Sequence, residues 1–389
     1  MIKREFEHAE GQPFNYNLLV QERQKLYRLG LFRDVETEVL EEHDNKRDIM
    51  IRVDEGNAGA VEFGLGYTDS EKFRTFLDLT YRNLWGMNRQ ASLRLELGSL
   101  ERRYIIQYKE PWFLDKPIPF TALLLKENKR VINIDTGETR YRLDRYSATT
   151  GLEKRLSNLI RAELYYELSR ARTFDVKPDV ILTREDTGTL WISGLRSGII
   201  YDSRDNPFDP MKGVFSGISI KFTSPLFLSE TNFAKLLFFG STYYRLQRRL
   251  VLALSIRGGL AQGYQETREL PLVERFFLGG RTTVRGYEQD TLGPKGKDGT
   301  PTGGNAFLLG NMELRSYLGR NIGVVAFLDG GNVWLKIRDM DTGDLKYTVG
   351  LGLRYSTPVG PVRIDYGRKL EREKGESSGE IHFSIGHAF

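Results

Sequence analysis

Tyr347 to Ser356 reads YTVGLGLRYS. Successive side chains of a strand point to opposite faces, so Tyr347, Val349, Leu351, Leu353 and Tyr355 share one face. Thr348, Gly350, Gly352, Arg354 and Ser356 share the other. The end of the chain repeats the pattern, with Ile381, Phe383, Ile385 and Phe389 opposing His382, Ser384, Gly386 and Ala388. Working back from here, alternating segments separated by turn residues recur as far as about Ala58. There are about sixteen of them, the repeated signature of an antiparallel membrane barrel.

A soluble sandwich also alternates, but three features favour the barrel. Aromatic residues gather near segment ends, as in interfacial girdles: Tyr81, Trp85, Tyr104, Tyr108, Trp112, Tyr165, Tyr166, Tyr243 and Tyr244. The segments are long for sandwich strands. The connections also differ in length by side. Asn83–Asn88, Lys154–Asn158, Gln247–Arg249, Gly319–Asn321 and Thr357–Pro361 are short, whereas Lys129–Thr139, Thr173–Gly188 and Glu371–Gly379 are long and polar. Outer-membrane barrels have short periplasmic turns and long outer loops. The fold expected is therefore mainly β, an about 16-stranded antiparallel transmembrane β-barrel over 57–389 with a small α+β domain over 1–56.

Composition agrees. Mean hydropathy is negative, and no apolar run approaches the length of a spanning helix. The net charge is +5, from 57 basic and 52 acidic residues without a segregated basic stripe, which argues against nucleic acid as a partner. With no cysteine there are no disulfides or thiolate metal sites. The chain opens directly on Ile2-Lys3-Arg4-Glu5-Phe6, which predicts a mature or truncated product. In the N-terminal unit, Asn17 is expected to cap a helix over Leu18–Leu29, stopped by Gly30. Strands are expected over Phe32–Val39 and Asp48–Val53, joined by a turn at His43–Lys46.

The longest connection, 263–303, contains ERFFLGGRTTVRGYEQDTLGP at Glu274–Pro294. Loops of this length without structure of their own are uncommon. This one has apolar surface to bury in Phe276, Phe277, Leu278, Val284 and Tyr287, and three glycines that permit tight backbone. By parity it is the sixth outer loop, and its apolar content predicts that it folds back into the lumen. Arg285, with no acidic neighbour on either side, then needs a carboxylate from elsewhere. Glu313 and Asp329 are the candidates, because the alternation turns both inward on adjacent strands.

These residues resemble the BamA/TamA superfamily of outer-membrane insertases over nearly the whole chain. Val284-Arg285-Gly286-Tyr287 matches the family's loop motif. Phe327–Trp334 (FLDGGNVW) and Gly310–Leu314 (GNMEL) match the two acidic strands that meet it. YRLGLFRDVE at Tyr27–Glu36 is similar to the last POTRA domain, here lacking its first strand. Ser203–Gly213, Ser356–Gly367 and Ile385–Phe389 fit as well. The resemblance implies an outer-membrane assembly factor, without enzymatic turnover or cofactor, whose POTRA domain lies in the periplasm. Its partners would be unfolded β-barrel clients, the lipid bilayer and periplasmic accessory proteins. Clients would enter through a lateral seam between the first and last strands, which carries Gly59, Val61, Phe63, Gly64, Gly66, Phe383, Ile385, Gly386 and Phe389. Strand-interior glycine weakens pairing there. The alternatives are a TamA-like translocation and assembly factor for autotransporters, and a two-partner secretion transporter.

Other chemistry is poorly matched. His8, His43, His382 and His387 lack metal-ligand spacing, so no metal site is assigned. His382 and Ser384 share a face but show no oriented acid. Asp202, Asp205 and Asp209 lack the bidentate glutamate of a calcium loop and read as a turn. Gly350-x-Gly352 lies within a strand, not between strand and helix.

Overall fold

The computed structural model describes residues 1–6, 11–41, 47–133, 137–319, 321–357, 360–373 and 375–386. His8, His387, Phe389 and the whole His43–Lys46 turn lie outside them.

The N-terminal part has one α-helix, α1 (Tyr16–Arg28), and a two-stranded sheet, β1 (Phe32–Glu41) with β2 (Arg47–Glu55). The cap is Asn15, not Asn17: its carboxamide oxygen accepts from the N–H groups of Asn17 and Leu18 at 3.0 and 3.2 Å. A side-chain oxygen at the N-cap reaches the N–H groups two and three residues on, so the helix begins two residues earlier than expected. Gly30, at φ 66°, ends the turn that follows α1. Leu26, Leu31, Phe32 and Val35 form a small core with Ile51 and Val53 against them.

The remaining strands close into one barrel. They run as β3 (Gly59–Thr68), β4 (Lys72–Leu84), β5 (Arg89–Gly98), β6 (Glu101–Glu110), β7 (Phe120–Ile132) and β8 (Thr139–Arg155). Then come β9 (Ile160–Phe174), β10 (Gly188–Asp202), β11 (Gly213–Thr223), β12 (Phe233–Gln247) and β13 (Leu250–Gly263). The last five are β14 (Ala306–Tyr317), β15 (Ile322–Trp334), β16 (Lys346–Thr357), β17 (Gly360–Lys369) and β18 (Gly379–Gly386). Every neighbour is antiparallel and sequential, and β18 pairs with β3 to close a sixteen-strand ring. Closure gives every strand of the ring a neighbour on both sides, as a membrane interior requires.

The outer face is apolar. Val61, Phe63, Leu124, Leu164, Ile199, Ile218, Ile256, Leu351 and Ile381 are all exposed, a continuous apolar exposure foreign to soluble monomers and suited to lipid. Two expectations about this surface need correction. Tyr165 is buried and bonded to Glu153, and Tyr243 lines an internal cavity. Adjacent strand residues take opposite faces, so Tyr165-Tyr166 and Tyr243-Tyr244 can each place only one ring on the lipid side. The length asymmetry of the connections also holds only in part. On the loop side, 69–71 and 99–100 are short, while on the opposite side 111–119 and 203–212 are long. Both of the long ones have structural work. Trp112 in 111–119 donates its indole N–H to Glu5 at 2.7 Å and lies under the Arg4 guanidinium, seating the N-terminal part against that rim. In 203–212, Asp205 accepts from the backbone N–H groups of Met211 and Lys212 at 2.9 and 3.2 Å.

Candidate functional site

The connection between β13 and β14 folds against the inward faces of strands from opposite sides of the ring. Val284, Leu278, Leu292 and Tyr287 are buried in one cluster with Leu309 of β14, Val333 of β15, Phe233 of β12 and Ile192 of β10. Phe276 packs on Phe307 at a ring distance of 4.9 Å. Two points of close approach depend on glycine. Gly286 has φ 125°, and a Cβ there would meet Thr348 at 2.7 Å. On β17, a Cβ at Gly367 would come within 2.1 Å of the Arg285 carbonyl. A side chain at either position would force the loop off the wall.

Arg285 is the centre of this contact. It lies in the loop's turn, with its backbone N–H and its guanidinium both directed at Asp329. The backbone N–H is 3.1 Å from Oδ2, Nε is 2.8 Å from Oδ2, and Nη2 is 2.7 Å from Oδ1. Nη1 donates to Glu313 Oε1 at 2.7 Å. Asn311 donates to Asp329 Oδ1 at 2.8 Å and to the Thr283 carbonyl at the same distance, so the carboxylate is saturated with donors. The guanidinium also lies 3.6 Å over the Phe327 ring. Asp329 is fully buried and Arg285 almost so. Burial opposes the arginine's charge, but the hydrogen bonds to Asp329 and the fields of Asp329, Glu313 and Asp365 outweigh it and raise its pKa above the ordinary value. Bidentate geometry makes arginine, rather than lysine, the residue suited to this position.

A second buried pair was not expected from the sequence. Arg275 donates to both oxygens of Asp186 at 2.7 and 2.6 Å and to the Leu270 and Val180 carbonyls. Asp186, in the connection between β9 and β10, also accepts from the N–H groups of Leu272 and Leu182. Next door, Glu274 accepts from Lys221 of β11 and Lys235 of β12, both at 2.9 Å. Burial raises the cost of its charge, but the two lysines outweigh that and hold its carboxyl well below the usual carboxylate range. Glu274 ends a short 3-10 turn and Arg275 follows it in extended backbone, and each side chain has partners of its own. Arg140 of β8 holds the loop's far end, donating to the Pro301 carbonyl at 2.7 Å and lying over Phe277.

The seam residues lie elsewhere. Gly59, Val61, Phe63, Gly64 and Gly66 lie on β3, and Phe383, Ile385 and Gly386 on β18. The described pairing across this junction is three residues long: Ser384 with Thr68, Ile385 with Tyr67, Gly386 with Gly66. Val61 and Phe63 point to lipid. Gly64 faces inward under the Phe76 ring, where a Cβ would meet the ring at 2.1 Å. Among the described residues one polar side-chain contact crosses the seam. The Asp69 carboxylate accepts from His382 Nδ1 at 2.8 Å, an oriented acid that the sequence did not reveal because the two residues are 313 positions apart. His382 Nε2 has no hydrogen-bond partner among the described residues, so Ser384 lacks the hydrogen bond that would make it a nucleophile.

A closed barrel with an apolar exterior, its longest connection turned inward and held by buried ion pairs, defines a membrane barrel with an obstructed lumen. The chain belongs to the Omp85 superfamily, whose domain model matches residues 83–389. It is 27% identical over 408 residues to the outer membrane protein assembly factor BamA of Nitratidesulfovibrio vulgaris, covering 100% of this chain and 49% of that protein. It is 22% identical over 445 residues to BamA of Neisseria meningitidis serogroup B, covering 100% and 54%. The chain thus spans about half the length of these curated relatives. The crystal structure of BamA from Haemophilus ducreyi lacking POTRA domains 1–3 superposes with a TM-score of 0.87 at 18% identity, covering 99% of this chain and 81% of that one.

Proposed function

We propose that this protein is an assembly factor of the bacterial outer membrane that folds and inserts β-barrel clients through the junction of β3 and β18. The observation that carries this reading is the ladder at that junction, three pairs long among the described residues, beside strand pairs such as β14 with β15 that run unbroken from Ala306 to Tyr317. A short, glycine-bearing junction opens at low cost. The exposed edge then offers main-chain hydrogen bonds that need no particular client sequence. In this reading residues 57–389 are the membrane barrel, the 263–303 loop braces its wall from within, and residues 1–56 are a partial POTRA domain. The POTRA domain sits in the periplasm and passes nascent chains to the barrel by pairing with its own strand edge. Accessory proteins would meet that domain. The process needs no catalytic residue and no cofactor.

Reconstitution into liposomes with an unfolded outer-membrane barrel as client tests this. Folding of the client should be faster than in protein-free liposomes. Equal rates would refute insertion by this chain and favour a transport role.

A further inference from the structure

Beside the loop, a cavity of about 280 Å³ is lined by six arginines and two carboxylates. Three of the arginines are accounted for. Arg285 is held by Asp329 and Glu313, Arg315 by Glu313, and Arg354 by Asp365 at 2.6 Å. The other three, Arg257, Arg281 and Arg363, have no carboxylate within ion-pair reach among the described residues. Arg257 donates only to neutral oxygens, the Thr282 carbonyl and Asn311. The Arg281 Nε is buried without a partner. The charges nearest Arg363 include Arg354, Arg281 and Arg315 as well as Asp365.

Confining three uncompensated like charges between low-dielectric walls is unfavourable, and such a cleft concentrates counter-ions. The guanidinium fork matches the oxygens of phosphate in a bidentate manner. The space also has an approach. A second cavity of about 600 Å³ shares Tyr243, Glu313, Arg315, Arg354 and Arg363 with it and reaches Gly319, Asn321 and the turn at Pro207–Met211, on the side where the N-terminal part sits.

We infer that this cavity is a binding site for a small multivalent oxyanion of the phosphate class, bridged by Arg281 of the loop and Arg363 of β17. Because it joins the loop to the barrel wall, the anion acts as a further tie between them, beside the contacts of Arg285, Glu274 and Arg140. The site does not depend on the insertase reading.

The test is calorimetric titration of the detergent-solubilised protein with inorganic pyrophosphate in chloride buffer. Saturable uptake of one equivalent is expected, weakened at least about tenfold by Arg281→Gln and by Arg363→Gln, since hydrogen bonds to charged groups are among the stronger ones. Arg161→Gln, on β9 and paired with Glu153, should bind as the parent does. Pyrophosphate should also raise the thermal midpoint of the parent, and should do so less in the two variants. Absence of saturable uptake, or parental affinity in either variant, overturns the proposal.

Discussion

The wall at β13–β15 and the seam at β3–β18 are built from the same kind of strand and differ in what holds them. Leu250–Leu260 pairs with β14, and β14 pairs along its whole length with β15. From inside, the loop adds a saturated arginine–carboxylate cluster. At the seam the described ladder is three residues, with one cross-strand carboxylate–imidazole contact and the Tyr67 and Phe383 rings 6.2 Å apart. Strand length follows the same division. β13, β14 and β15 have 14, 12 and 13 residues, whereas β3 has 10, close to the minimum for crossing a bilayer. In a barrel every strand must be paired, but the pairs need not be equally strong. In the function proposed above, stability concentrated on one side would let the other side open without loss of the whole.

The comparison is broken most completely by making the seam as strong as the wall. Thr68 and Ser384 are opposite each other, and the chain has no other cysteine. A Thr68→Cys/Ser384→Cys variant should therefore form a single disulfide. Oxidised, it should lose client insertion while keeping its folded gel mobility, and reduction should restore activity. Full activity of the oxidised form would end the seam hypothesis. Next in size is the reverse change, weakening the wall. Arg285→Ala leaves Asp329 buried without its cation, which costs about 3–5 kcal/mol, while Glu313 keeps Arg315. It should appear as a lower urea midpoint and loss of heat-modifiable mobility, and an unchanged midpoint would show that the cluster is not stabilising. The smallest effect sharpens the contrast. Asp69→Asn weakens the only polar side-chain contact described across the seam by about 1 kcal/mol. Hydrogen exchange in Ile381–Gly386 should then accelerate about fivefold while β14 and β15 are unchanged. Equal acceleration in both regions would mean that the barrel opens as one unit.

Much of this was legible in the chain. Period-two alternation in Tyr347–Ser356 and its repeats settles which face of each strand is apolar, because a one-residue slip would turn every apolar side chain to the other face, and the aromatic segment ends and the strand lengths favour a barrel over a sandwich. The lone Arg285 in an apolar loop, with Glu313 and Asp329 turned inward by the same alternation, follows from strand geometry and the cost of a buried charge. Other features were decided only by the tertiary structure. Asp186 lies 89 residues from Arg275, and Asp69 meets His382 only because the ring closes. The cavity among Arg257, Arg281 and Arg363 exists because the loop carries one of these arginines to the other two. Local pattern settles which face a side chain takes, since that depends on the residue's own backbone. Which distant group it meets depends on closure and on the path of the loop, and no local pattern encodes those.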